Sequence, residues 1–333
     1  MSTLGQTQSL ATSQPVIREQ QVIFNDGQEA FNTFMRSTNQ KPNINGWLNR
    51  RCPAKEGMKI LSIGAGTGEE MLGYLNGLRG RGVNFRIDYL DPSQELFKTF
   101  SESMRRNGLQ DRIGGPFHCT FENFTTTEKY DLIIASHVFY YIDKKDDSLK
   151  KLWSFLKPDG KALIFLQSRE SDNYRFRETF LPRINGKSYV EANGNELANI
   201  ASTLEMDSLT NIGRSILDFQ GEMMESRLNM SHVVGPMEPD REGKLLLTFM
   251  LRTNFENLDG NLKTDIMQYI RNVTTRNMGP HFRLLDTVIT VEGLTKQRSL
   301  QTPPIRPTSP TTKPAALTMG RTPPSSSQVL PSF

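Results

Sequence analysis

The segment Lys59–Glu69, KILSIGAGTGE, constrains the fold more than any other stretch of the 333 residues. A short apolar run, Met58–Ile63, stops at Gly64-Ala65-Gly66-Thr67-Gly68, and apolar residues at helical spacing continue to Leu78. Glycines at this spacing let the backbone turn sharply and let a ligand approach the main chain. By itself the pattern also suits a plain strand–helix turn. A second strand, Val83–Leu90, ends in Asp91-Pro92-Ser93, which puts an acid 23 residues after Gly68. A carboxylate there can accept both hydroxyl hydrogens of a ribose.

The alternation continues. Ser93–Met104 reads as a helix capped by Ser93. Arg112–Cys119 is a weak strand, Tyr130–Ala135 a strong one, and Asp146–Leu156 a helix. A turn at Lys157-Pro158-Asp159-Gly160 leads into the strand Lys161–Gln167. Alternating strands and helices imply a parallel sheet with crossover helices. Beyond Ser168 the pattern changes. Ser168–Ile184 reads as a polar helix, and Asn195–Leu204, Lys244–Leu251 and Asn261–Ile270 as further helices. Glu205–Asp218 is a candidate strand, and Phe282–Glu292 a last strand completing the sheet from its far edge. The expected fold class is α/β, a Rossmann-like core over residues 22–296 with an inserted helical lobe at about 168–275.

Composition bounds the partners. The tail from Gln297 to Phe333 carries Arg298, Arg306, Lys313 and Arg321 and no acid, which accounts for the whole net charge of +4. The balanced body argues against a nucleic-acid-binding face, which needs clustered positive charge. Eight of the eighteen prolines fall in that tail, so it is expected to be disordered, as are residues 1–21. Its Thr302-Pro303, Ser309-Pro310, Thr322-Pro323 and Pro304-Ile305-Arg306-Pro307 could be phosphorylated or engage a proline-motif-binding partner, or could form a bare extension. No signal peptide or membrane-spanning run is present, which implies a cytoplasmic chain with no membrane partner. Cys52 and Cys119 are too few for a disulfide framework, and no cluster has metal-ligand spacing.

A nicotinamide dinucleotide would use a similar glycine loop and acid. The G-x-G-x-G spacing favours S-adenosylmethionine instead. So does Tyr130–Ser136 (YDLIIAS) followed by Leu156-Lys157-Pro158-Asp159-Gly160 and a strand, a pairing that resembles class I methyltransferases. Ser62 before the loop, His137-Val138-Phe139-Tyr140-Tyr141, Leu245-Leu246-Leu247-Thr248-Phe249 and Phe31–Thr38 together resemble the histamine N-methyltransferase family over about residues 24–293. That resemblance implies an S-adenosylmethionine-dependent N-methyltransferase of a small amine or imidazole, acting as a monomer.

Carried over residue by residue, the resemblance gives a cofactor site of Gly64, Ala65, Gly66, Gly68, Asp91, Glu122, Asn123 and Ser136. It gives a substrate site of Asn39, His137, Tyr140, Tyr141 and Phe249. His137 is the candidate proton acceptor, or else a simple hydrogen-bonding group. The tyrosines and Phe249 line a pocket or merely pack. Asn39 stands where the family has a glutamate that holds the amine, which argues against histamine itself. Asn173-Tyr174 and Phe176-Arg177 replace two family tryptophans, and the family's substrate-contacting asparagine aligns near Leu284 or Leu285. Two other functions remain open: a small-molecule O-methyltransferase, and a non-catalytic cofactor-binding scaffold.

Overall fold

Strands β1 (Met58–Ile63), β2 (Phe85–Leu90), β3 (Ile113–Phe117), β4 (Tyr130–Ser136), β5 (Leu156–Gln167), β6 (Asp218–Asn229) and β7 (His281–Glu292) form one sheet in the order β3-β2-β1-β4-β5-β7-β6. The computed structural model describes residues 27–189, 191–212, 218–235 and 238–293. The N-terminal stretch 1–21 and the proline-rich tail 297–333 lie outside the described residues. β1 to β5 run parallel, and β7 is antiparallel to both β5 and β6. The expected Rossmann-like α/β core is therefore present.

Strands β1 and β4 are buried at all but one position each because helices cover both faces, and successive side chains point to opposite sides. Ile60, Ile87, Leu132, Ile134 and Phe165 face one side with Trp47, Tyr74, Leu75 and Phe100. Those partners come from α2 (Gln40–Arg51), α3 (Glu69–Gly80) and α4 (Gln94–Arg106). Leu61, Ile63, Ile133, Ala135 and Ile164 face the other side with Leu149, Leu152, Leu197 and Ala201. These belong to α5 (Lys145–Ser154) and α7 (Gly194–Ile212). Ser93 caps α4 as expected, its side chain accepting from Leu96 N.

The second half departs from expectation in four ways. The Pro158-Asp159-Gly160 turn is an irregularity inside β5, where pairing jumps from Tyr130–Leu156 to Leu132–Lys161 and Asp159 takes φ 66°. Glu205–Asp218 is helical as far as Ile212, and the strand starts only at Asp218. The last strand, β7, is not at the edge but lies between β5 and β6. Helix α6 (Asp172–Asn185), polar in composition as expected, starts four residues later than Ser168 and buries Tyr174, Phe176, Phe180 and Leu181. Asp172 at its start is buried as well, and accepts from Arg276, Asn277 and the Arg283 amide.

The lobe has its own core. Phe176, Phe180, Leu246, Leu247, Met250, Ile266, Ile270 and Phe282 pack together with Phe34. They come from α6, α9 (Arg241–Leu251), α10 (Gly260–Arg276), β7 and the N-terminal helix α1 (Gln28–Ser37), with the short α8 (Ser231–Val234) alongside. No helix among the described residues is long and apolar enough to cross a membrane.

Candidate active site

Strand order reverses between β1 and β4, and the carboxyl ends of an open α/β sheet at such a point form its ligand crevice. The Gly64–Gly68 loop lies there. Gly64 N and Ala65 N both donate to Leu90 O, at 2.8 and 3.3 Å. Gly66 N donates to Asp91 Oδ2 at 3.1 Å and Ser93 N to Asp91 Oδ1 at 2.9 Å. The loop and the acid at the end of β2 therefore form one unit. Burial pushes the Asp91 carboxyl above its usual range, against the two amides and His118, which act to lower it.

The loop glycines serve different needs. A Cβ on Gly68 would lie 2.4 Å from the Phe100 ring, so packing excludes it. A Cβ on Gly66 would meet nothing nearer than Gly64 O at 4.0 Å. Gly66 holds φ 50° and leaves open space beside Asp91, a cradle that fits a nucleoside. The ionised Asp91 has lone pairs left after its two amide bonds to accept ribose hydroxyls.

Ser136 ends β4 buried, its hydroxyl 3.4 Å from Glu70 Oε2. Burial pushes the Glu70 carboxyl up, while His137, Lys41 and Ser136 oppose it. Glu122 and Asn123 follow β3 on an exposed loop, and Glu122 Oε1 accepts the Asp143 amide at 3.2 Å.

His137 is the hub of a second cluster of polar and aromatic groups. Its backbone sits at φ 52°, uncommon for a residue with a side chain. Its Nδ1 lies 3.0 Å from the Tyr140 hydroxyl, and its Nε2 lies 3.6 Å from Asp286 Oδ2, an ion-pair distance. The Tyr140 oxygen accepts the Gln167 amide at 2.8 Å. Burial works to lower the His137 pKa, but Asp286, with Glu70 and Glu191 behind it, outweighs burial and holds the imidazole above its ordinary value.

Tyr141 is 51% exposed and meets Tyr140 edge-on at 6.0 Å. The Phe249 ring lies tilted against Phe34, centroids 4.6 Å apart, with the Arg177 guanidinium 5.6 Å from its ring centre. Asn39 is placed differently from expectation. It is exposed, and its Oδ1 accepts the Arg227 amide at 2.7 Å on the β6 edge. The next residue, Gln40, is buried and donates to Asp286 Oδ2 at 2.7 Å.

Five residues were missed in the sequence: Gln40, Glu70, Arg177, Glu191 and Asp286. Arg177 is buried, bonds Met250 O at 3.1 Å and lies 3.5 Å from Glu191, which also receives Arg252. Asp286 carried a usable signal, as a lone acid inside an apolar strand. Of the two positions the alignment offered, Leu284 is buried in the lobe core and Leu285 is half-buried.

Residues 36–201 match the family described as "Methyltransferase domain". The chain carries a domain of this methyltransferase family. The cofactor of these enzymes is S-adenosylmethionine. This methyltransferase is 25% identical to histamine N-methyltransferase of Cavia porcellus over 174 residues, 47% of this chain and 60% of that enzyme. It is also 25% identical to histamine N-methyltransferase B of Xenopus laevis over 246 residues, 68% of this chain and 79% of the relative. The matched stretch thus spans less than two thirds of the Cavia enzyme. A Bacillus halodurans protein assigned as a methyltransferase superposes with a TM-score of 0.50 at 11% identity, covering 75% of this chain and 98% of that one. That likeness concerns the fold alone.

Proposed function

We propose that this methyltransferase transfers a methyl group to a nitrogen of a small amine or imidazole compound. One observation carries the proposal: His137 lies against the fully buried Asp286, with the Glu70 and Glu191 carboxylates acting on the same imidazole. Arg177 and Arg252 offset Glu191, which leaves Asp286 as the carboxylate facing the imidazole; it suits an acceptor that arrives as a cation, as do the aromatic faces of Tyr140 and Tyr141. Position 39 has no part in that charge balance, since Asn39 faces the β6 edge. The histamine N-methyltransferase relatives agree with this substrate class.

On the cofactor side, Gly64, Ala65, Gly66 and Gly68 would cradle the nucleoside. Asp91 would hold its ribose, Glu122 and Asn123 would flank the base, and Ser136 would lie beneath it. When bound, the cofactor would supply an electrophilic methyl group on a sulfonium, with a neutral thioether as the leaving group. The protein's task is to align the acceptor nitrogen, exclude water and remove a proton.

Full-length protein incubated with methyl-labelled cofactor and histamine, phenethylamine, imidazole or catechol tests this. Label is expected on the amines or the imidazole. Label on catechol alone would make the enzyme an O-methyltransferase.

A further inference from the structure

We propose that Tyr140, His137 and Asp286 form a proton relay for the methyl acceptor, with the Tyr140 hydroxyl as its receiving end. The relay presupposes the amine or imidazole acceptor proposed above, because such an acceptor must shed an N–H proton. Geometry decides the order of the groups. Neither ring nitrogen of His137 is open to a ligand. Nδ1 is held at 3.0 Å by Tyr140, and Nε2 is buried without a hydrogen-bond partner among the described residues, facing Asp286 at 3.6 Å.

Tyr140 bridges this buried pair to the acceptor side. Its oxygen accepts the Gln167 amide, so its single proton is free to go to His137 Nδ1. A phenolic oxygen has two lone pairs, and one remains for an acceptor N–H. With Tyr140 donating to Nδ1, the neutral imidazole carries its proton on Nε2, toward Asp286. Gln40 fixes that carboxylate through Oδ2, and Oδ1 has no partner among the described residues. The left-handed backbone of His137 turns the ring inward at a conformational cost, as is common where side-chain placement serves function.

The proton step balances. The acceptor N–H bond breaks with its electron pair left on nitrogen, and the proton forms a new O–H bond on Tyr140. The former Tyr140 proton passes to Nδ1. The resulting imidazolium faces Asp286, and after product leaves the proton returns to solvent by the same hydroxyl. This is the logic of an acid–imidazole–hydroxyl triad run toward proton removal. The groups acting on His137 are Asp286 from β7, Tyr140 from its own loop, Glu70 from α3 and Glu191 from the α6–α7 connection. Lys41 moderates Glu70, and Arg177 and Arg252 moderate Glu191.

The test is NMR of the full chain labelled with 15N-histidine. The protein has four histidines, so the signal lost in His137→Gln identifies the one of interest. Neutral His137 is expected as the Nε2–H tautomer, with Tyr140→Phe shifting population toward Nδ1–H. Asp286→Asn is expected to lower its titration midpoint by at least one pH unit. An Nδ1–H tautomer in wild type, or an unchanged midpoint in Asp286→Asn, overturns the relay. Should Asp286→Asn fail to fold, the tautomer in Tyr140→Phe decides alone.

A second arm uses whichever of the four acceptors wild type methylates fastest. Wild-type kcat is expected to rise with pH as His137 loses its proton; Tyr140→Phe should lower kcat at least tenfold with KM and S-adenosylhomocysteine affinity within threefold, and should abolish that rise. An unchanged kcat overturns the relay even if the tautomer is as expected. Methylation of catechol alone overturns the acceptor class instead, and leaves the NMR result standing.

Discussion

Gln40 Nε2 donates to Asp286 Oδ2 at 2.7 Å, joining the first turn of α2 to the middle of β7. The two residues are 246 positions apart in sequence, and both are buried. The N-terminal segment thus reaches the site through Gln40 and not through Asn39. Removing the donor leaves a buried carboxylate short of a partner, which costs about 1–3 kcal/mol. Gln40→Leu should therefore lower the unfolding free energy by about 1–3 kcal/mol, read as a lower urea midpoint with the slope unchanged. An unaltered midpoint would show that Asp286 finds another donor at no cost.

Asn39 is engaged on both sides by β6, donating its amide to Arg227 O at 3.2 Å while its side chain accepts from Arg227 N. A glutamate at this position would face solvent. Asn39→Glu should change kcat/KM for histamine by less than about threefold, under ~0.7 kcal/mol. A tenfold gain would mean that the α1–α2 junction swings and brings position 39 to the acceptor.

Gly66→Val should abolish S-adenosylhomocysteine binding, for two reasons. Valine is strained at φ 50°, and its side chain fills the open space beside Asp91. Asp91→Ala removes an ionised acceptor and should weaken binding by about 1.5–3 kcal/mol, roughly tenfold to 150-fold. Calorimetry on both variants checks this. Wild-type affinity in either would move the cofactor off the loop.

Glu70 gives a pH-dependent prediction with a definite sign. Its folded pKa is raised, so folding favours the protonated acid. The stability it contributes is fully present below the unfolded value of about 4.3 and is lost as pH rises through the folded pKa. Glu70→Gln keeps an acceptor for Ser136 and carries no charge. It should unfold at a higher temperature than wild type at pH 7–8, with the difference vanishing toward pH 4. A variant less stable at pH 8 would show that the charge is used, through Lys41 or His137.

The sequence alone determined the core, because its signals are local. The strand Met58–Ile63, the glycine loop, Asp91 at the end of β2 and the Ser93 cap each depend on a few neighbouring residues, and each stands where expected. β6 left little trace. Its exposed and buried positions alternate, but Met223 is exposed and Ser226 is buried, so the apolar period of two is masked. The order β5-β7-β6 depends on pairing between strands more than fifty residues apart. Tertiary structure alone decided the chemistry around His137. Asp286, Gln40, Glu70 and Glu191 reach it from four separate segments. No periodicity records that a buried carboxylate and an imidazole will meet; only the closing of the sheet by β7 brings them within 3.6 Å.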